Sequence, residues 1–153
     1  MLILLDIDGV MVPAASWRAV EMLNDGFPAF SNSAVAALQK LISDTGASIV
    51  LTTTHKGNYT IPEWTDIFKK RGITARINKL SNNVHNLSRK EEILNWLHIA
   101  DYSEFVIIDD DTSLNDLSTL YKERLVLTSP MVGLKSDGAE RALQILNTRL
   151  IPV

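Results

Sequence analysis

A chain of 153 residues, 46% hydrophobic and 22% charged, has the length and composition of one globular domain with a sizeable core. Its net charge of −3 excludes a general basic field that would draw in nucleic acid or an anionic membrane, although a local basic patch stays compatible with it. The absence of cysteine excludes disulfides, thiolate zinc sites and a cysteine nucleophile, and fits a reducing compartment.

Five apolar residues, Met1 to Leu5, run into Asp6-Ile7-Asp8-Gly9. A short continuous apolar run closed by a turn signal predicts a fully buried strand. It is too short for a signal-peptide core or a membrane span and has no basic segment before it, so the expectation is a cytoplasmic protein with no membrane association. Val10 to Val12 can extend briefly before Pro13, and 14–30 reads as a loop with one helical turn near Trp17–Leu23. In that loop Trp17, Phe27 and Phe30 either plug the edge of the core or form a flap over a ligand.

Ser31 to Ser33 offer N-caps to a helix carrying Val35, Leu38, Leu41 and Ile42, with Gly46 as its αL stop. Ala47 to Leu51 predicts the second buried strand, ending in Thr52-Thr53-Thr54-His55-Lys56-Gly57. Three hydroxyls and a lysine at a strand end suit a phosphate, though threonine is also common in strands and turns. Pro62 opens a helix that Gly72 stops, Ile73–Ile77 predicts a third strand, and Asn78–Asn86 reads as a polar loop. Ser88 and Glu91 fit a capping box before a helix with Ile93, Leu94, Trp96 and Leu97 on its buried face. Phe105 to Ile108 is a further apolar strand that ends in Asp109-Asp110-Asp111. A helix over Leu114–Leu120, a strand over Leu125–Leu127 and an amphipathic helix over Asp137–Leu146 complete the chain. Strands alternating with helices predict a mainly parallel sheet covered on both faces.

In a parallel sheet the carboxyl ends of the strands share one rim, so Asp6 and Asp8 can meet Asp109, Asp110 and Asp111. Clustered carboxylates repel one another unless a cation sits among them, and Mg²⁺ is the natural guest for hard oxygen ligands beside a phosphate. A capping role explains one aspartate at a strand end; it does not explain five on two strands. His55, His85 and His98 have no metal-ligand spacing, and His55 stands out only because it follows the threonine cluster.

Taken in order, Leu2–Val10, Ile49–Thr52, Arg89/Lys90 and Phe105–Asp110 resemble motifs I to IV of the haloacid dehalogenase (HAD) superfamily. The strand, Thr cluster, basic residue before Glu92-Ile93-Leu94-Asn95-Trp96-Leu97 and final DDD also resemble the small HAD domains associated with RNA repair proteins. The resemblance implies an α/β, three-layer Rossmann-like fold with little or no cap domain. The expected unit is a single domain over 1–153, with 14–30 as a flap or minimal cap insertion. It implies a Mg²⁺-dependent phosphatase in which Asp6 is the nucleophile and Asp8 the general acid and base. Asp6, the Asp8 backbone carbonyl and Asp110, or Asp109 in its place, would hold the metal. Thr52, with Thr53 and Gly9, would bind the phosphoryl group. Its charge would be met by Arg89, which the spacing to Glu92-Ile93 favours, by Lys90, the residue type the family more often uses, or by Lys56 as an outside candidate.

An open, capless site suits a bulky phosphorylated substrate such as a protein or nucleic-acid end, and suits small phosphate esters if oligomerisation supplies a lid. The net charge gives nucleic-acid binding no support, and the oligomeric state is open. Two other readings compete. One is a catalytically quiet HAD-like module that binds a phosphorylated ligand or a partner protein. The other is a receiver domain, disfavoured because the third predicted strand carries no aspartate.

Overall fold

A computed structural model describes residues 1–14, 20–100 and 104–148. Five strands, β1 (Leu2–Leu5), β2 (Ser48–Leu51), β3 (Ile77–Lys79), β4 (Phe105–Asp109) and β5 (Leu125–Leu127), form one sheet in the order β3-β2-β1-β4-β5. Every pairing is parallel. Helices α1 (Asn32–Thr45), α2 (Ile61–Lys70), α3 (Arg89–Ala100), α4 (Thr119–Lys122) and α5 (Ser136–Leu146) cover it.

Side chains alternate across a strand, so one apolar run feeds two cores. Ile3 and Leu5 of β1, Ile49 and Leu51 of β2, and Val106 and Ile108 of β4 pack with α1, α2 and α5. Leu4, Val50, Phe105 and Ile107 turn the other way, against Ile93 and Leu97 of α3 and the Leu114–Leu117 turn. Wholly apolar strands are what a sheet buried on both faces requires. The result is the three-layer Rossmann-like arrangement expected from the sequence.

The caps of α1 fall where the residue types place them: Ser31 Oγ accepts from the Ala34 amide, and Gly46, at φ 68°, donates to the Ile42 carbonyl. A Thr60/Glu63 capping box, a local T-x-x-E signature, starts α2 just before Pro62.

Several expectations need correction. The third strand lies at Ile77–Lys79, not Ile73–Ile77, because pairing with β2 sets Ile77 opposite Ile49 and leaves Ile73 as a buried plug. The polar loop therefore begins later than Asn78. The helix expected over Leu114–Leu120 is two pieces, a 3₁₀ turn at Thr112–Asp116 and the short α4, with Leu117 and Ser118 extended between them. Of the expected turn near Trp17–Leu23, residues 17–19 lie outside the described residues, Trp17 among them. The rest is not helical: Met22 bridges Pro28 antiparallel.

Phe27 and Phe30 plug the core edge, edge-on to Trp64 at 5.3 Å and to Phe68 at 5.1 Å respectively. Arg71 latches this segment, donating to the Phe27 and Pro28 carbonyls and through two nitrogens to the Asp25 carboxylate. That hydrogen-bonded pair holds the Asp25 carboxyl down at about 2. Among the described residues no helix is long and apolar enough to cross a membrane.

Candidate active site

The register brings the site together. Leu5 lies opposite both Leu51 and Ile108, so Asp6, Thr52 and Asp109 come level at the carboxyl edge of three adjacent strands. Between β1 and β4 the chain order reverses direction across the sheet, which is where open α/β sheets form their ligand crevice. Backbone bonds fix the level: the Asp6 amide donates to the Ile108 carbonyl (3.1 Å) and the Thr52 amide to Leu5 (3.0 Å).

Beyond Asp6 the chain folds back at once. The Ile7 carbonyl accepts from the amides of Val10, Met11 and Val12, and Gly9 takes φ +79°. Gly9 is needed twice over, because a Cβ there would also lie 2.1 Å from Asp110 Oδ2. Thr128, just past β5, pins the turn by donating its hydroxyl to the Gly9 carbonyl at 2.8 Å.

Asp6, Asp109 and Asp110 each present a carboxylate oxygen within 4.8 Å of the others. Asp6 and Asp109 are buried. Burial, and then the charge of Asp109, push the Asp6 carboxyl up to about 8, against the pull of Arg89. Burial raises Asp109 as well, again opposed by Arg89. One cation already reaches in: Arg89 Nη1 lies 2.7 Å from Asp109 Oδ2 and 3.2 Å from Asp6 Oδ1. Burial alone would lower the Arg89 guanidinium, but the charges of Asp109 and Asp6 outweigh it and hold it up. One positive charge shared between two buried carboxylates does not balance them, so the trio is short of positive charge. Three hard oxygen donors with that deficit fit a divalent cation such as Mg²⁺.

Thr52 Oγ1 is buried and has no hydrogen-bond partner among the described residues. Thr53 is also buried, and its hydroxyl accepts from the His55 amide at the start of a 3₁₀ turn, Thr54–Asn58.

Two of the three candidate cations lie elsewhere. Lys56 is buried in an ion pair with Glu92, Nζ to Oε2 2.7 Å, with both side chains under a tenth exposed. Lys90 is half-buried and makes no ion pair with Asp6 or Asp109 among the described residues. Arg89 is the one the helix start aims at them. The Asp8 carboxylate stands outside the trio and meets His55, Oδ2 to Nε2 2.8 Å. Neither the Lys56–Glu92 nor the Asp8–His55 pair was read from the sequence, since each joins distant segments with no motif to link them.

Over residues 2–139 the chain matches the family model described as the HAD domain in Swiss Army Knife RNA repair proteins. The chain belongs to that family. No curated protein and no solved structure matches it. The match takes in all four strand-end and helix-start segments on which the resemblance to this HAD family was read. Membership points to the phosphatase-like chemistry of HAD domains, and Asp6, Asp109 and Asp110 supply a place in this one where a metal ion can sit.

Proposed function

We propose that this HAD domain is a Mg²⁺-dependent phosphomonoester hydrolase that works through an aspartyl-phosphate on Asp6. The observation that carries the proposal is the trio of Asp6, Asp109 and Asp110 on the rim of β1 and β4, with Arg89 against two of them. Asp6 and Asp110 would hold the cation together with the Asp8 backbone carbonyl. Asp109 is the weaker ligand candidate, because Arg89 takes its Oδ2 and the Asp111 amide its Oδ1 at 3.0 Å. Mg²⁺ bound there would keep Asp6 ionised and screen it from the phosphate it must approach.

Asp6 attacks phosphorus, and the P–O bond to the leaving group breaks as the Asp6–phosphorus bond forms. Protonated Asp8 gives its proton to the departing oxygen. As a carboxylate it then takes a proton from the water that hydrolyses the aspartyl-phosphate, which frees Asp6 and inorganic phosphate. The Thr52 hydroxyl and the Arg89 guanidinium meet the phosphoryl oxygens, where negative charge concentrates. The family's description names RNA repair proteins, and the Asp8 side of the site is open, so the phosphorylated end of an RNA is the proposed substrate class.

A panel of nucleotides, sugar phosphates, phosphopeptides and 3′- and 5′-phosphorylated oligonucleotides tests this, each with Mg²⁺ and with chelator. Release of phosphate that needs Mg²⁺ and disappears in Asp6→Asn is the expected outcome. Binding of these ligands without turnover would replace it with a phospho-ligand-binding module.

A further inference from the structure

The Asp8–His55 pair joins residues 47 apart in sequence, and its groups are half-exposed, Asp8 at 60% and His55 at 37% of their side-chain surface. A contact this exposed contributes little to stability; what it fixes is the orientation of the Asp8 carboxyl. His55 is held at two other points. Its ring stands edge-on to buried Phe27, with centroids 5.6 Å apart at 88°, and its backbone amide donates to Thr53 Oγ1.

An aspartate carboxyl turns easily about its last torsion, so an acid that must protonate one departing oxygen gains from having that torsion fixed. With His55 Nε2–H as the donor, the hydrogen bond occupies Asp8 Oδ2. Oδ1 is then the oxygen left to carry the catalytic proton. When Asp8 is protonated on Oδ1, the same Nε2–H still donates to Oδ2.

We propose that His55 is a positioning residue for Asp8, locking the carboxyl so that Oδ1 faces the leaving group. This rests on the phosphatase reading and adds a component to it that no motif marks.

The test uses aryl phosphates of graded leaving-group acidity, because a good leaving group departs without an acid and a poor one does not. For His55→Ala, kcat/KM should fall about 10- to 100-fold on phenyl phosphate and less than about threefold on p-nitrophenyl phosphate, the mark of impaired general-acid help. His55→Gln retains an N–H donor and should recover most of the loss on phenyl phosphate. Thermal melts check that both variants fold; if the Ala variant does not, His55→Phe, which keeps a ring against Phe27 but has no N–H, takes its place and should show the same leaving-group-dependent loss. An equal loss across the series, or none, overturns the positioning role while the phosphatase reading stands. Absence of turnover by the wild-type chain on every phosphate removes both.

Discussion

A buried hydroxyl without a partner costs about 1–3 kcal/mol, and natural proteins tolerate few of them outside functional sites. Thr52 has such a hydroxyl, one residue past β2 and level with Asp6. Its backbone amide donates to the Leu5 carbonyl, so the residue is held at the sheet edge while its Oγ1 waits for an acceptor. A phosphoryl oxygen is the acceptor the site offers. Thr52→Val keeps the shape and removes the hydroxyl, so it relieves the folded protein and harms only the liganded one. The melting temperature should stay the same or rise, while kcat/KM for the best phosphate substrate falls about 100-fold, the usual loss for one donor to a developing charge. A stability loss with unchanged turnover would make Thr52 a structural residue.

At the scale of elements, α3 links the two halves of the site. Arg89, in its first turn, reaches Asp6 and Asp109, and Glu92, one turn on, takes Lys56 from the loop after β2. The loop backbone is tied down as well, since the Lys56 carbonyl accepts from Trp64 Nε1 and Lys79 Nζ. Breaking a buried ion pair from one side strands a charge, so Lys56→Met should cost about 3–5 kcal/mol in urea unfolding. Lys56→Met with Glu92→Leu should recover most of that, because an apolar pair of similar volume replaces both charges. If the double variant is no better than the single, the pair is not the reason Lys56 is needed.

The same elements show what was legible in the sequence. Apolar runs and the aspartates that end them are local, so β1, β4 and the carboxylate trio could be read directly. Capping residues are local too, and Ser31 and Gly46 fixed the bounds of α1 in advance. Register is not local: β3 moved to Ile77–Lys79 because its partner chose which residues pair. The phase of α3 makes Arg89 rather than Lys90 meet Asp6, as the spacing of Arg89 to Glu92-Ile93 favoured. The charge partners of Lys56 and Asp8 come from segments 36 and 47 residues away, where spacing says nothing.

Over the whole molecule, the sheet gathers more negative charge at one rim than its own cations neutralise, and this makes stability depend on pH and metal together. Without a metal ion the Asp6 carboxyl is pushed up to about 8 in the folded chain, against 3.8 for an unperturbed aspartate. Between those values the folded state holds a proton that the unfolded chain has released, so stability falls as pH rises through the window. Below 3.8 both states are protonated and the difference vanishes; above about 8 the full penalty is present. Magnesium takes the place of that proton, so it competes with it and stabilises most where the proton has left. Saturating Mg²⁺ should therefore raise the melting temperature by at least about 3 °C more at pH 8.5 than at pH 6, a difference of roughly 1 kcal/mol for a chain of this size. Asp6→Asn keeps the shape but carries neither charge nor proton. The metal-free variant should melt at or above the wild type at pH 8.5 and show little of the Mg²⁺ gain. An equal Mg²⁺ shift at both pH values would mean that the ion binds away from the trio.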